Sequence, residues 1–254
     1  MIKLLLFNLI LIVIITVILV ICKKYCKTEK IKYIALLIAS ILTILCHYSS
    51  IIYHYFLDKA HIQFLESNPN LILPIYPCNV VMWSCLVLGL IKDKKTKVGS
   101  FLIDYIFWFG LISSLVGMIV NIDFINNPTL LDYDVTKGIV AHAFLLLNVL
   151  LLPVFGYIKI DLIKNMTHIL VSILLMFVIG CYCNLVFFIL TTKEYAYHIN
   201  SMFILHSPFE NLAFLTYPFI ALIAFILYFV IFHICELITL KPNERWYKRI
   251  KLKK

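Results

Sequence analysis

Leu71-Ile72-Leu73-Pro74-Ile75-Tyr76-Pro77-Cys78-Asn79 opens an apolar run that continues without a charge to Ile91. The run is long enough to cross a bilayer as a helix. Two prolines stand where that helix should be forming. Proline has no N–H and clashes with the carbonyl four residues back, and in hydrocarbon the freed backbone groups need partners inside the protein. A thiol (Cys78) and a carboxamide (Asn79) follow at once. The stretch reads as a helix with a broken start and polar groups behind it, an arrangement that builds sites at membrane depth. The plain alternative is a kinked packing helix in which Cys78 acts as a small buried hydrophobe.

Six further apolar segments of spanning length flank this one, near Ile2–Cys22, Ile31–Tyr53, Ser100–Val120, Thr136–Tyr157, Asn165–Thr191 and Leu212–Ile238. Of the 254 residues 63% are hydrophobic and only 14% charged, where a soluble domain carries about a quarter charged residues. The fold class expected is all-α: a multi-pass cell-membrane protein forming one integral membrane domain over 1–254, a bundle of seven transmembrane helices with a basic tail at 239–254. The first segment is too long for a signal-peptide core and has no small-residue cleavage site after it, so it reads as an anchor.

The net charge of +9 is a matter of orientation. The first, third and fifth connectors and the tail hold 18 of the 22 Lys and Arg, among them Lys23, Lys24, Lys27, Lys92, Lys94, Lys95, Arg245 and Arg249. The second, fourth and sixth connectors hold one each: Lys59, Lys137 and Lys193. That alternation is what the positive-inside rule requires. It places the N-terminus outside and the C-terminus in the cytoplasm, with the basic tail against anionic lipid head groups and no nucleic-acid partner. The tail stretch Arg245-Trp246-Tyr247-Lys248-Arg249 reads as an interfacial anchor. The eight cysteines form no pair of Cys-x-x-Cys motifs, so neither a disulfide framework nor a metal site is expected.

Polar residues run along the segments in register. Ser40, Thr43, His47, Ser50 and His54 are spaced 3, 4, 3, 4, one seam of a helix, which should face the bundle or a wet cavity. Gly110, Ser113, Ser114, Gly117 and Asn121 share a face of the fourth segment and read as close helix packing. Gly180 and Asn184 share a face of the sixth. His233 is expected to pair with Glu236, one turn on, and His61, His198 and His206 to be solvated in outer loops. At 1.5 Å per residue, counting from the segment ends, Cys78 lies about 10 Å deep, His142 about 8 Å and His47 about 9 Å. A thiol, two imidazoles and the amides of Asn79 and Asn184 thus share the outer third of the membrane.

The sequence resembles the YwaF-type bacterial integral membrane proteins. These carry Leu-Pro-x-His-x-Cys and a small polar residue where this chain has Leu73 to Asn79, with Tyr76-Pro77 in place of the histidine and its neighbour. They also have a Gly-rich fourth segment like Phe109–Gly117, a histidine opening the next helix like Ile139-Val140-Ala141-His142, and a late stretch like Asn200-Ser201-Met202-Phe203-Ile204 through Pro208. The resemblance covers residue 71 to the end of the seventh helix. Distant eukaryotic relatives are ether-phospholipid-forming acyltransferases that move fatty acyl chains between phospholipids with a cysteine in the corresponding segment. The resemblance implies Cys78 as nucleophile and His142 as its base.

The expected chemistry is cysteine-dependent phospholipid acyl transfer, or acyl hydrolysis, at the outer leaflet. A thiolate needs a base; Asn79 or Asn184 would donate to the oxyanion, and His47 and Asn200 are further supporting polar residues. No cofactor is expected, since nucleotide-loop and metal signatures are absent. The rivals are a small-solute or proton-coupled transporter and a non-catalytic membrane envelope protein. The first is disfavoured because Asp104 and Glu236, the acids within the segments, sit near their cytoplasmic ends.

Overall fold

Residues 2–57, 68–119, 129–207 and 210–251 are described by a computed structural model. Lys59, His61, Asn121 and Pro208, named above, lie outside them. The described residues form helices, turns and loops, with no strand among them. Six helices are long and apolar enough to cross a membrane. They are α1 (Ile2–Tyr25), α2 (Glu29–Ile52, continued by a π-helical turn at Tyr53–Leu57), α4 (Lys97–Ile119), α5 (Tyr133–Val154), α6 (Leu162–Leu190) and α8 (Tyr217–Thr239). The apolar helix α3 (Pro77–Leu90) is shorter, and α7 (Lys193–Ile199) and α9 (Trp246–Lys251) are short connecting and tail helices.

Four of these helices start two or three residues ahead of their apolar stretches because of capping. Thr28, Thr96, Asp132 and Asp161 accept N–H bonds from Ile31, Gly99, Val135 and Lys164 at 3.0–3.3 Å. Each cap is worth about 1 kcal/mol. At the other end of α5, Tyr157 and Gly156 donate to the Leu152 and Pro153 carbonyls at 3.0 Å. Gly156, at φ +75°, supplies the left-handed residue this ending needs.

The stretch 71–91 departs from the expected single helix. Residues 72–76 are not helical, and α3 begins at Pro77, the position where the missing N–H costs nothing. The prolines end a loop and open a helix instead of kinking one. At 14 residues, α3 is about 21 Å long.

The chain forms two compact units, Met1–Ile158 and Lys159–Lys254. In the first, α2, α3, α4 and α5 close a ring in that order, and α1 packs outside it on α5 and α4. Leu5, Leu9, Val13 and Val17 of α1 are more than half exposed, an apolar surface suited to lipid. Helix α3 runs antiparallel to α2, with Cys85 beside Ser40, Gly89 against Leu37 and the Lys94 ammonium over the Tyr33 ring. Lys94 is buried and donates to the Leu88 and Ile91 carbonyls, capping α3. Lys32 reaches the Phe155 carbonyl, and Tyr157 donates to Glu29. The lysine-rich connectors of this unit therefore gather at one end of it.

In the second unit α6 packs against α8 and α7, and a buried carboxylate organises one end. Glu236 Oε1 accepts from the Leu162 N–H at 2.7 Å and from Arg249 Nη2 at 2.8 Å, and Oε2 accepts from the Trp246 N–H at 2.8 Å. One carboxylate thus holds the first amides of α6 and α9, where the helix dipoles favour it. The expected His233–Glu236 pair is replaced: His233 Nδ1 accepts from Trp246 Nε1 at 2.9 Å. The tail is built into the fold as well, because Arg245 caps α8 at Leu237 O and Leu240 O and Arg249 also binds Asp161.

Burial pushes the Asp161 carboxyl up, but the bonds from Arg249 and the Lys164 N–H and the charges of both residues outweigh it and hold it below its ordinary value. A depressed carboxylate contributes stability that is complete above its unfolded pKa and lost as pH falls through the folded one. Hydrogen exchange of the tail amides, corrected for intrinsic rates, should stay slow from neutrality down to the ordinary carboxylate range and speed up only below it. Arg249→Gln should speed it at neutral pH.

Candidate active site

The seam of α2 faces inward, as its spacing requires. Ser40, Thr43, His47 and Ser50 are buried. Ser40 Oγ lies 2.7 Å from Leu36 O and 3.0 Å from both Cys85 O and Asn148 Oδ1. Asn148 Nδ2 donates to Thr43 Oγ1 at 2.9 Å and to Phe144 O at 3.0 Å. These bonds tie α2, α3 and α5 together at the centre of the ring.

Toward the end away from the basic connectors the seam meets an acid that the sequence reading passed over. Asp134 stands two residues before the expected fifth segment. Its carboxylate accepts from Ser50 Oγ at 3.2 Å and from His54 Nε2 at 2.6 Å, and Lys137 lies 3.6 Å away. Next to this pair Tyr133 donates to Ser49 at 2.6 Å and stacks on Tyr53 at 4.0 Å. The signal available in the sequence was Asp132-x-Asp134-x-x-Lys137 at the head of a helix: an N-cap, a first-turn acid and a cation three residues on.

His47 Nε2 donates to Asn70 O at 3.4 Å, holding the loop that leads into α3. Four residues past Thr43, it sits about 6 Å further along α2. His142 lies six residues from Asn148, about 9 Å in the same direction on α5. Since Thr43 and Asn148 are bonded, the two imidazoles share a level on neighbouring helices, close enough for their charges to interact. The structure brings these two together.

His142 lies in a notch. A Cβ built on Gly117 would come 2.1 Å from its Cδ2 and 2.2 Å from its Nε2, so only glycine admits the ring. On the other side Nδ1 lies 2.8 Å from Gly138 O. A carbonyl only accepts, so the proton of the neutral ring sits on Nδ1 and Nε2 carries the lone pair. Gly117, read as a helix-packing glycine, is a socket for an imidazole. Gly110 is the helix-packing one, with Val81 and Val149 at 3.0 and 2.6 Å from a Cβ there.

Cys78 is the second residue of α3, a free thiol and half-buried. Its sulfur lies against the N–H groups of Cys78 and Asn79. Asn79 is buried, and its Oδ1 accepts from the Tyr76 N–H at 3.2 Å, a reach back that fixes the helix start. The donor side of that amide is Nδ2. The shared contact at Gly110 sets the level of Cys78: it is three residues from Val81, about 4.5 Å, while His142 is seven from Val149, about 10 Å, so the two differ by about one turn. Helices α3 and α5 both flank α4 and α2, which places the two residues on opposite sides of the ring.

Asn184 and Asn200 belong to the second unit. Asn184 pairs with the Ser201 backbone through Oδ1 (2.8 Å) and Nδ2 (3.3 Å). Asn200 accepts from the Leu205 and His206 N–H groups and donates to His206 O. They hold a loop in which Asn200, Met202 and Phe203 all have φ between 45° and 57°, docked on the Gly180 face of α6. His206, expected to be solvated, bonds Tyr197 O, Ser207 O and Asn200. Among the described residues no three His, Cys, Asp or Glu side chains are grouped to hold a metal.

No protein-family model matches the chain, and neither the curated proteins nor the solved structures contain a match to it.

Gly117→Ala should expel the His142 ring and cost about 1–3 kcal/mol of stability, the usual penalty for overpacking. Combining it with His142→Ala should restore most of that loss, as read by thermal unfolding in lipid nanodiscs. A Gly117→Ala protein as stable as the wild type would mean that the ring does not occupy the notch.

Proposed function

We propose that the first unit carries out cysteine-dependent acyl transfer, or acyl hydrolysis, on membrane phospholipids at the outer leaflet, with Cys78 as nucleophile and His142 as base. The observation that carries the reading is the Cys78 sulfur against two amides at the N-terminus of α3, donors placed to meet negative charge that develops beside the sulfur. The resemblance to the YwaF-type proteins and their acyltransferase relatives points the same way. In the reaction His142 Nε2 takes the thiol proton and the thiolate attacks the ester carbonyl. The Cys78 and Asn79 amides, with Asn79 Nδ2, stabilise the oxyanion. Collapse breaks the ester C–O bond, the leaving lysophospholipid oxygen takes the proton from Nε2, and a thioester remains. A second lipid hydroxyl, giving transfer, or water, giving hydrolysis, attacks the thioester, passes its proton to Nε2 and releases the thiol. His47 supports the site by holding the loop before α3.

The orientation goes with this reading. The gathering of basic connectors at one end of the first unit supports a cytoplasmic location for that end. With its non-helical lead, α3 runs between the two ends of the ring and acts as the seventh crossing, between α2 and α4. The N-terminus is then outside and the C-terminus cytoplasmic, in the cell membrane. In the tail, exposed Lys241 and Lys248 are left for anionic lipid. A second reading, a proton-coupled transporter, is favoured by one observation: the His54–Asp134–Lys137 group at the end of a continuous polar seam. A membrane protein with no catalysis is what remains if both fail.

Incubation with a phospholipid carrying a tagged acyl chain should trap a hydroxylamine-sensitive thioester, mapped by mass spectrometry to Cys78. The adduct should vanish in Cys78→Ala and form far more slowly in His142→Ala. A Cys78→Ala protein with full transferase activity would exclude covalent catalysis by this thiol. Proton flux in liposomes that is lost in Asp134→Asn, with no adduct at Cys78, would select the transporter.

For the orientation, in a cysteine-free background, Lys95→Cys should resist an impermeant thiol reagent in whole cells and Leu131→Cys, whose residue is 97% exposed, should react. The reverse pattern puts Cys78 in the other leaflet.

A further inference from the structure

Helix α1 ends on two thiols. Cys22 lies in its last turn, and Cys26 is the first residue past it, at the head of the short connector to α2. The Cys26 N–H donates to the Cys22 carbonyl at 2.8 Å, so the helical turn is complete and both side chains share one face. The thiols meet there in hydrogen-bond contact. Both are free and half-buried, within reach of small solutes. No other two cysteines of the chain stand three or four residues apart. The surroundings are cationic. Lys23 and Lys24 stand between the two cysteines, and Lys27 follows with its ammonium turned back onto the Lys23 carbonyl.

We propose that Cys22 and Cys26 form a chelating site for a soft monovalent cation, Cu(I) in a cell, held between the two sulfurs. Ligand type and ligand number decide the ion. Thiolate sulfur selects Cu(I), zinc and iron–sulfur clusters among the metals. Zinc and the clusters take four ligands, and among the described residues no three His, Cys, Asp or Glu side chains are grouped. Cu(I) is satisfied by two sulfurs on opposite sides of it. Distance decides against the other product of a thiol pair. Side chains one turn apart have Cβ atoms about 5–6 Å apart, whereas a disulfide needs about 3.5–4.5 Å, so oxidation would have to unwind the end of α1. An ion between the sulfurs spans the wider gap without moving the backbone. As the two Cu–S bonds form, the two S–H protons pass to water; copper stays Cu(I) and nothing is oxidised. The bis-thiolate complex carries one net negative charge, which the neighbouring Lys23, Lys24 and Lys27 offset. With this end in the cytoplasm, as in the orientation above, the thiols are kept reduced. The site does not involve Cys78 and stands apart from the acyl-transfer reading.

The experiment is an oxygen-free competition for Cu(I) between the full-length protein in lipid nanodiscs and a coloured Cu(I) chelator. The wild type should hold one tight Cu(I) per chain. Cys22→Ser and Cys26→Ser each leave a single thiol, and each should weaken binding about a hundredfold or more, the advantage of a second ligand already in place. The double variant should bind no more weakly than either single one. Cys22→Ser combined with Lys24→Cys restores the number of thiols but puts the new one on the opposite side of the helix, and should bind as weakly as Cys22→Ser alone. Copper X-ray absorption of the loaded wild type should show two sulfur neighbours and no nitrogen. Wild-type affinity in both single variants, each folded by thermal unfolding, would overturn the site. Full binding in the Lys24→Cys combination, or a third protein ligand on the metal, would overturn it too. Zn²⁺ held as tightly as Cu(I) and lost in the same variants would overturn the two-coordinate assignment.

Discussion

The amide of Asn148 is the interaction on which the first unit depends. It is buried, and it binds Ser40 and Thr43 of α2, while the Ser40 hydroxyl also lies 3.0 Å from the Cys85 carbonyl of α3. Interhelical bonds of this kind are worth on average about 0.6 kcal/mol and at most about 1.7 in a membrane. Their larger effect is on register. Sliding α5 by one residue against α2 would break both interhelical bonds of the carboxamide at once: the hydroxyls keep the Leu36 and Ala39 carbonyls of their own helix, but the Asn148 Oδ1 loses the Ser40 hydroxyl, and a buried unpaired group costs about 1–3 kcal/mol. With that register fixed, His47 and His142 fall at one level, and Ser50 and His54 fall on Asp134.

Close approach of the helices is the second constraint, and glycine meets it in two different ways. At Gly110 the missing side chain lets valines from α3 and α5 reach the α4 backbone, which gains van der Waals contact where hydrophobic burial gives none between helices in lipid. At Gly117 the space is taken by an aromatic ring with a proton to exchange. The same face of α4 is therefore helix packing at one level and a socket for a histidine ring one heptad further on. Glycine spacing alone does not distinguish the two. The distinction comes from which residue of α5 stands opposite, and the Thr43–Asn148 bond decides that.

Much of this was legible in the sequence because the bilayer imposes one-dimensional rules. Segment length follows from bilayer thickness, and the 3, 4, 3, 4 spacing from Ser40 to His54 could describe only one buried stripe. The start of α3 was not legible: an apolar window registers side chains, and residues 72–76 are as apolar as a helix while their backbone is not helical. Asp134 was missed because the apolar segment was begun at Thr136, whereas Asp132 caps the helix one turn earlier and carries the acid into it. Glu236 was assigned to its neighbour His233, since the tail amides and Arg249 that it binds come from beyond the segment. Asn8 of α1, whose Nδ2 donates to the Met118 carbonyl of α4 at 2.8 Å, had no periodic partner at all. A single polar residue in an otherwise apolar helix becomes meaningful only when the backbone carbonyl it binds, that of Met118, is known.

The two central imidazoles are chemically unlike for reasons that lie in the backbone. His47 donates from Nε2 to a carbonyl of the loop before α3, so that nitrogen holds a hydrogen and is no base. Its effect reaches Cys78 through the chain: Asn70 is held, and the six residues after it lead to Pro77 and the first turn of α3. His142 donates from Nδ1 to a carbonyl of its own helix, which leaves the lone pair on the outer nitrogen. In the proposed reaction the anchor and the base therefore have separate owners, and they can be separated by substitution. Loss of the His47 bond acts on where the thiol is, whereas loss of the His142 lone pair acts on whether the thiol gives up its proton. That division is compatible with Tyr76-Pro77 at the opening of α3. A proline at the first position of α3 fixes the helix start from which the Cys78 and Asn79 amides meet the sulfur, and in the proposed reaction, with His142 supplying the base from α5, no second imidazole is needed beside it.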